Sequence, residues 1–333
     1  MAGDSEQVLG AVAHPGGFLV RRPELSVGVV RAVSRVSGLE IELLARRPLD
    51  RRNANERRRD TRKAGAIAPR TLLPAVDEGI DLRLGLLDES GLAHWRYPDS
   101  LATNSGDHAG GESGPTHRSV FRLPPAFDEV TLVLAWPEIG FPESVVTVPL
   151  PDRAAVERAT TSIWDAPVAA VPTAEPFEHQ VASWPRGAAI EAGTTAALPR
   201  VLHRGGRAAV VLTRLVAVGP DLLSAGLSSI AEGDVARTIA GSAFGPSRRS
   251  SRALGEAARI RTDGPGGSIA VIRDGRAHWL RAQSGSFSGG EGTVSATQDF
   301  IIERPADDVL DLLVTWPLAG LPDARARIPL DRL

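Results

Sequence analysis

Apolar and polar residues alternate along many short stretches of this sequence. Residues 26–36 read SVGVVRAVSRV, residues 39–45 read LEIELLA and residues 80–86 read IDLRLGL, so charged side chains fall between apolar ones. A period of two is typical of a β-strand with one buried side and one solvent-facing side. Further strands are predicted at 117–123, 130–136, 145–148, 208–218, 222–227, 269–272, 277–280, 300–302 and 310–316. No helical pattern separates them, which predicts antiparallel pairing because parallel strands need crossover helices.

The sequence contains an internal repeat. Residues 121–150 align without a gap on residues 301–330, and ten positions are identical. The identical pairs include Trp136/Trp316, Pro137/Pro317, Gly140/Gly320 and Pro142/Pro322. Upstream, Ala93-His94-Trp95 recurs as Ala277-His278-Trp279. Matching landmarks in the same order indicate a tandem duplication.

The repeat and the strand pattern together predict an all-β protein. A domain with one hydrophobic core ordinarily has about 100–150 residues. The chain has 333 residues, which indicates more than one core. We expect two tandem antiparallel β-sandwich domains, immunoglobulin-like or jelly-roll-like, at 1–150 and 198–333. Loops at the ends of such sandwiches commonly carry function.

Residues 151–197 form the predicted linker. Asp152 suits a helix N-cap, and Ala155, Val156 and Ala159 fall on one helical face, so a short helix is expected first. A Pro- and Ala-rich extended connection follows, because proline blocks helix and central strand. Tryptophans at 164 and 184 are unusual in a free linker, so we expect part of it to pack on a domain.

The two Trp-Pro motifs are interpreted as structural. Each has the form Trp-Pro-x-x-Gly-x-Pro, in which a tryptophan ends a strand and prolines fix the following turn. A core tryptophan that anchors a rigid corner fits this frame. The alternative is a surface pair of tryptophans that stack on a sugar ring.

Composition excludes several classes of protein. The chain has no cysteine, which excludes a disulfide scaffold, a zinc ribbon, an iron–sulfur cluster and a thiol nucleophile. Its 38 basic and 40 acidic residues give a net charge of −2, without overall attraction to nucleic acid or anionic membranes. The start, MAGDSEQVLG, lacks the pattern of an export signal, and no apolar run reaches the ~18 residues of a membrane span. We therefore expect a cytoplasmic protein.

An Arg-rich segment interrupts this neutrality. Residues 46–70 contain ten Arg or Lys against three Asp or Glu, a local charge of +7. The segment is either a solvated loop or an arm that binds an acidic protein surface or a nucleic-acid backbone. It has no aromatic residue for base stacking. The candidate binding residues are Arg51, Arg52, Arg57, Arg58, Arg59, Arg62 and Lys63, with Arg248, Arg249 and Arg252 in a smaller basic loop of the second copy.

Glycine-rich stretches occupy 105–114 and 284–292. We expect mobile hairpin loops there, because neither stretch has the Gly-Lys-Ser/Thr ending of a phosphate loop. The alternative is a pair of contact loops, with Gly110, Gly111, Gly289 and Gly290 as the binding candidates.

Catalytic and metal motifs are not found in the sequence. His94 and His278 lie beside Trp95 and Trp279, but neither has a second ligand at i+2 or i+4, and a metal site needs three or four ligands. No nucleophile elbow or His-Glu-x-x-His motif is present. We expect no metal, no cofactor and no enzymatic activity.

One segment carries a resemblance to a known group of proteins. The run from Trp136 to Pro142, preceded by a Gly-rich stretch and by Phe121-x-Leu123-Pro124-Pro125, resembles a signature of short actinobacterial proteins. The resemblance covers most of copy one. It is weaker in copy two, where Glu303-Arg304-Pro305 replaces the Leu-Pro-Pro step. It implies a recurrent β-module used here in tandem, and it implies no activity.

These observations favour a non-enzymatic interaction or scaffold protein. Its partner would be a protein, held by the sandwich-end loops and the Arg-rich arm, and homo-oligomers are compatible with a duplicated fold. A second hypothesis is a module for a glycan-like ligand, which requires an exposed Trp95 or Trp279. A third is a hydrolase, which requires His94 or His278 to meet a serine and a carboxylate.

Overall fold

The structure is a computed structural model. It describes residues 7–23, 25–47, 56, 59–60, 72–73, 82–104, 116–136, 141–183, 192–244, 260, 264–290 and 292–331. Over these ranges the protein consists mainly of antiparallel β-sheets. The prediction of an all-β chain is confirmed.

The strands follow the predicted positions closely but are more numerous. The first eleven are β1 (Val8–Leu9), β2 (Ala11–Val12), β3 (Gly17–Arg21), β4 (Ser26–Arg35), β5 (Gly38–Arg46), β6 (Arg83–Leu87), β7 (Ala93–Arg96), β8 (Ser100–Asn104), β9 (Thr116–Leu123), β10 (Glu129–Trp136) and β11 (Phe141–Pro149). Helix α1 (Arg153–Ala159) follows, then β12 (Thr161–Ser162), β13 (Val171–Pro172), β14 (Glu178–Val181), β15 (Thr194–Ala197), β16 (Arg200–Gly205), β17 (Ala208–Val218) and β18 (Leu222–Glu232). The chain continues with helix α2 (Gly233–Phe244), β19 (Ser268–Arg273), β20 (Arg276–Trp279), β21 (Ser284–Gly290), β22 (Thr293–Glu303), β23 (Val309–Trp316), a 3-10 helix (Pro317–Ala319) and β24 (Leu321–Pro329).

The chain divides into two compact units. The N-terminal unit comprises Gly10–Thr160 and Glu191–Gly193, and the C-terminal unit comprises Met1–Leu9, Thr161–Ile190 and Thr194–Leu333. Each unit has a front sheet, in the order β2-β4-β5-β9-β8 or β15-β17-β18-β22-β21, with β3 or β16 paired to the second strand. Each also has a back sheet, in the order β11-β10-β6-β7 or β24-β23-β19-β20.

The two units share their strand order and also their irregularities. A β-bulge between Leu134 and Trp136 on β10 recurs between Val314 and Trp316 on β23. On the front sheets, the register shift at Arg31 of β4 recurs at Arg214 of β17. Bulges are specific local features, so their recurrence extends the sequence repeat to the fold.

The core of each unit takes side chains from both of its sheets. In the N-terminal unit, Phe121 of β9 on the front sheet and Trp136 of β10 on the back sheet belong to one buried cluster. In the C-terminal unit, Phe300 of β22 and Trp316 of β23 do the same. Truncation of a buried aromatic side chain of this size typically costs about 3–5 kcal/mol.

The linker helix forms where the sequence predicts it. Asp152 is the N-cap of α1, and its carboxylate accepts a hydrogen bond of 2.6 Å from the backbone N–H of Ala155. Val156 is fully buried, and α1 contacts β2 and β4 of the N-terminal unit. The short linker helix is therefore confirmed.

Linker residues 161–183 are built into the C-terminal unit. β12 pairs with β1, and Ile163 joins a buried cluster with Val211 and Ile230 of the front sheet. Trp164 packs against the same cluster, which confirms the expectation for this tryptophan; Trp184 lies outside the described residues. The linker then adds β13 to one edge of the back sheet and β14 to the other.

Two local predictions are wrong. Helix α2 occupies a region where no helical pattern was expected, and it buries Ala236 and Ile239. The stretch 284–292 is not a hairpin loop, because Ser284–Gly290 forms strand β21, which pairs along its whole length with β22. Small side chains suit this exposed edge of the front sheet, so glycine here does not mark a loop.

A linker that is part of the fold should contribute to stability. Ile163→Ala removes a side chain that is 1% exposed, so we expect the free energy of unfolding to fall by about 2–4 kcal/mol in a urea titration followed by circular dichroism. Val171→Ala, at a linker position that is 68% exposed, is the control and should change it by less than about 0.5 kcal/mol. Equal small effects of both variants would contradict the account.

Candidate functional site

The tryptophans of the two Trp-Pro motifs lie in the cores of their units. Trp136 and Trp316 are buried, and Pro317 begins the 3-10 helix that follows Trp316. Gly320 ends this helix with φ of 72°, a backbone conformation that favours glycine, and Pro322 lies in β24. In the first copy Pro142 lies in β11, while Pro137 and Gly140 lie outside the described residues.

Most of the predicted binding residues are not covered by the structure. Of the Arg-rich segment, Arg59 is described and is exposed. Gly289 and Gly290 are exposed in β21. The candidates outside the described residues are Arg51, Arg52, Arg57, Arg58, Arg62, Lys63, Gly110, Gly111, Arg248, Arg249 and Arg252.

A cluster of charged side chains covers part of the N-terminal front sheet. Glu40 and Glu42 are buried on β5, on the side of the strand opposite to the core residue Ile41. Arg31 of β4 pairs with both carboxylates, and Arg118 of β9 donates a hydrogen bond to Glu42. Such a pattern satisfies buried carboxylates across three neighbouring strands.

The arginines keep Glu40 ionised. Burial alone would raise the pKa of Glu40, but the positive charges of Arg31, Arg35 and Arg122 outweigh burial and lower it below the ordinary value. The guanidinium nitrogens of Arg35 and Arg122 lie 3.8 and 3.7 Å from the carboxylate. The cluster is therefore a compensated ion network that holds the strands in register.

The front sheet of the C-terminal unit also pairs a buried charge, but with different residues. Arg214, at the position of Arg31, is buried and donates hydrogen bonds to Asp299 of β22 at 2.8 Å and to Ser224 at 3.1 Å. Register places Gly226 at the position of Glu42, so the carboxylate has moved from the second strand to the third. The arginine is common to both units, and this indicates a structural role.

His94 meets a carboxylate, but not in a catalytic arrangement. Its Nε2 lies 2.8 Å from Asp88 Oδ2, and Asp88 also accepts hydrogen bonds from the Ser90 hydroxyl and the Leu92 N–H. These contacts, with Ser90 first and His94 second, lower the pKa of Asp88 well below its usual range. A catalytic triad needs a serine bonded to the histidine, whereas here Ser90 bonds to the carboxylate. The group caps the turn before β7.

Neither a metal site nor a membrane helix emerges from these residues. Within the described ranges, no group of three or more His, Asp or Glu side chains could hold a metal ion. Among the same residues, no helix has the length and apolar character needed to cross a membrane.

Aromatic and basic side chains gather at the edge of the N-terminal back sheet. This aromatic edge consists of Arg83, Leu92, Trp95, Arg96 and Tyr97, on β6 and on and around β7. The rings of Trp95 and Tyr97 have centroids 3.8 Å apart, and the Arg83 guanidinium lies 5.2 Å from the Trp95 centroid. Tyr97 is 68% exposed and Leu92 57%. A half-buried tryptophan beside an exposed tyrosine and an arginine is typical of a recognition surface.

The corresponding tryptophan of the C-terminal unit is covered. Trp279 is fully buried, and its indole N–H donates a hydrogen bond of 3.1 Å to His179 Nδ1 of the linker. Phe177 of the linker packs on the same cluster. Strand β14 pairs with β20, the equivalent of β7. Trp95 is half-buried and packs against a cluster of Leu73, Ala93, Val133 and Ala135, so the two identical Ala-His-Trp runs differ in how completely their tryptophans are covered.

Sequence reasoning found Trp95 but missed its neighbours. Arg83 lies on β6 and meets Trp95 only across the sheet, since Trp95 pairs with Gly85 on that strand. Tyr97 is the only tyrosine of the chain and lies two residues after Trp95. In an extended backbone these two side chains lie on the same side, so the sequence alone could have indicated an aromatic pair.

Comparisons with known proteins do not identify the chain. No protein-family model and no curated protein matches the sequence. Among solved structures, it is similar to a conserved domain protein from Bacillus anthracis, with 9% identity, a TM-score of 0.22, and 92% of this chain and 76% of that chain covered. It is also similar to the N-terminal periplasmic domain of ScsB from Proteus mirabilis (9% identity, TM-score 0.22, 96% and 100% covered) and to bovine butyrophilin (10%, 0.21, 96% and 100%). TM-scores this low do not indicate a shared fold or function.

The ion network on the front sheet predicts a pH dependence. Because the pKa of Glu40 is lowered in the folded state, its contribution to stability is present above the unfolded pKa of about 4.3 and is lost as pH falls below it. Glu40→Gln should reduce the free energy of unfolding by about 3 kcal/mol at pH 7 and flatten its decline below about pH 5.

The measurement is urea unfolding at several pH values between 3 and 7. Glu129→Gln, which removes an exposed carboxyl at the start of β10, is the control and should leave the pH profile of unfolding unchanged. A Glu40→Gln profile parallel to that of the wild type would show that Glu40 does not couple stability to pH.

Proposed function

We propose that the protein is a cytoplasmic, non-enzymatic interaction protein made of two antiparallel β-sandwich domains that arose by duplication. Buried clusters shared between the front and back sheets of each unit support the sandwich. The repeated strand order and bulges support the duplication. An immunoglobulin-like or jelly-roll-like topology belongs to the same proposal.

The contrast between Trp95 and Trp279 carries the proposal. In the C-terminal unit the linker covers the Trp279 strand, so that surface is occupied by the chain itself. In the N-terminal unit Trp95 is half-buried, and Tyr97 beside it is exposed. A duplicated surface that the linker covers in one unit, and that no strand of the described ranges covers in the other, fits a protein whose N-terminal unit binds and whose C-terminal unit supports.

The Arg-rich segment remains part of the proposed interaction surface. Its local charge of +7 would attract an acidic partner over about 10 Å at moderate ionic strength. Binding through it should weaken with salt, unlike binding through aromatic contacts. Salt dependence therefore separates the contribution of this segment from that of the aromatic edge.

A glycan-like ligand is the second candidate function. Tryptophan and tyrosine rings at a surface can pack on the apolar face of a sugar, and the adjacent, tilted rings of Trp95 and Tyr97 favour this candidate over a site at the buried Trp279. Ligand-dependent change in tryptophan fluorescence across a glycan panel, abolished by Trp95→Phe, would support it.

The proposed function is tested by capture of partners from native lysate. The Trp95→Ala/Tyr97→Ala variant should retain less than about one tenth of each partner, since central aromatic residues contribute most of the energy of an interface. Leu198→Ala, at an exposed apolar position of the C-terminal unit, is the matched control and should retain all of them. A second variant that lacks residues 50–66 tests the Arg-rich segment at 0.05 and 0.3 M salt. Unchanged capture by both variants would contradict the proposal.

A further inference from the structure

We infer that β7 binds an extended acidic segment of a partner protein by strand addition, in the parallel orientation. The inference rests on the proposed function and specifies its partner. Strand addition uses the unpaired backbone groups of a sheet edge for affinity and side-chain contacts for specificity. In the back sheet of the N-terminal unit, β7 is an edge strand that pairs with β6 and with no other strand of the described ranges.

The chain itself supplies the template for this mode of binding. In the C-terminal unit, β14 adds to the edge of β20 in parallel, with Val181 opposite Trp279 and Glu178 opposite Arg276. The N–H of Ala182 donates to the carbonyl of Trp279 at 2.9 Å. Glu178 also forms an ion pair of 2.8 Å with Arg276. An extended, acidic, aromatic-containing segment is therefore what this type of edge accepts.

The backbone of β7 is set up in the same way as that of β20. Trp95 lies opposite Gly85 on β6, as Trp279 lies opposite Ala270 on β19. Because the Trp279 carbonyl is directed to β14, strand alternation directs the backbone groups of Trp95 to the corresponding outer side. The exposed edge runs from Leu92 to Tyr97, about 20 Å of extended chain.

Charge distinguishes the two edges and indicates an acidic partner. Arg83 and Arg96 take the positions of Ser268 and Leu280 in the C-terminal unit. The Nε atoms of both arginines are buried without a hydrogen-bond partner among the described residues. Arg83 lies on the face of Trp95, whereas alternation along β7 places Arg96 on the opposite face. Carboxylates on the two faces of an added segment would supply the acceptors that these donors lack.

The same charges argue against a second copy of this chain as the occupant. If two β7 edges paired in parallel and in register, Arg96 of one molecule would lie opposite Arg96 of the other. Like charges across a strand pair are destabilising. The inferred occupant is therefore an acidic segment of a different protein.

The first test measures binding of a labelled peptide to the intact protein by fluorescence polarisation. The probe is AEPFEHQVAS, the sequence of residues 174–183, which contains the β14 strand. N-methylation at the position of Ala182 removes the N–H that would pair with Trp95 and should weaken binding by about tenfold or more. N-methylation at the position of Val181, whose N–H points away, should change it by less than about twofold. Absence of binding, or equal loss with both peptides, would overturn the inference.

The second test fixes the register by disulfide trapping. The chain has no cysteine, so Leu92→Cys creates a single thiol at an exposed position of the edge. Leu92 corresponds to Arg276, and Arg276 lies opposite Glu178. A peptide with cysteine at the position of Glu178 should therefore form the disulfide with Leu92→Cys at least about five times faster than a peptide with cysteine at the position of His179. Equal trapping of both peptides would overturn the parallel register.

Two further outcomes separate this inference from the proposed function. Partner capture that depends on Trp95 and Tyr97, together with peptide binding insensitive to the site of N-methylation, would keep the proposed function and remove strand addition. A mass twice that of the chain in light scattering, reduced to the monomer by Trp95→Ala and Leu92→Ser, would assign the edge to a second copy and overturn the acidic partner.

Discussion

The fold depends on how each back sheet satisfies the backbone groups of its edge strands. An edge strand leaves a row of N–H and C=O groups unpaired, and natural proteins cover or protect such edges. In the C-terminal unit the linker performs this task at both edges, with β13 on β24 and β14 on β20. This pairing makes a Pro-containing connection part of the fold. In the N-terminal unit, within the described ranges, β7 has a neighbour on one side only.

Duplication explains why this difference has functional meaning. Both units inherit the same strand order, the same bulges and an arginine at the same front-sheet position, Arg31 or Arg214. The buried carboxylates around that arginine differ between the units, yet each set compensates its charge locally. The units also differ in how far the tryptophan of the Ala-His-Trp run is covered: the linker buries Trp279, whereas Trp95 packs against the Leu73 cluster and Tyr97 beside it is exposed.

The sequence predicts the elements whose pattern is local and misses those that depend on pairing. Alternation locates long strands such as Ala208–Val218, and the Asp152 cap locates the linker helix. Strands of two residues, such as Val171–Pro172, have no local signal because only their partner strand stabilises them. The candidate site shows the same limit, since His94-Trp95 and His278-Trp279 are alike in sequence, and nothing in the two runs indicates that the linker covers the second.

The chain itself covers the β20 edge of the C-terminal back sheet with β14, whereas among the described residues no strand covers the β7 edge of the N-terminal back sheet. Amide hydrogen exchange of the intact protein, read at single residues by nuclear magnetic resonance, tests this difference most directly. The account predicts slow exchange for Ala277 and Trp279, which pair with β14, and exchange at least about a hundredfold faster for Ala93 and Trp95. Equal protection of the two pairs would contradict it.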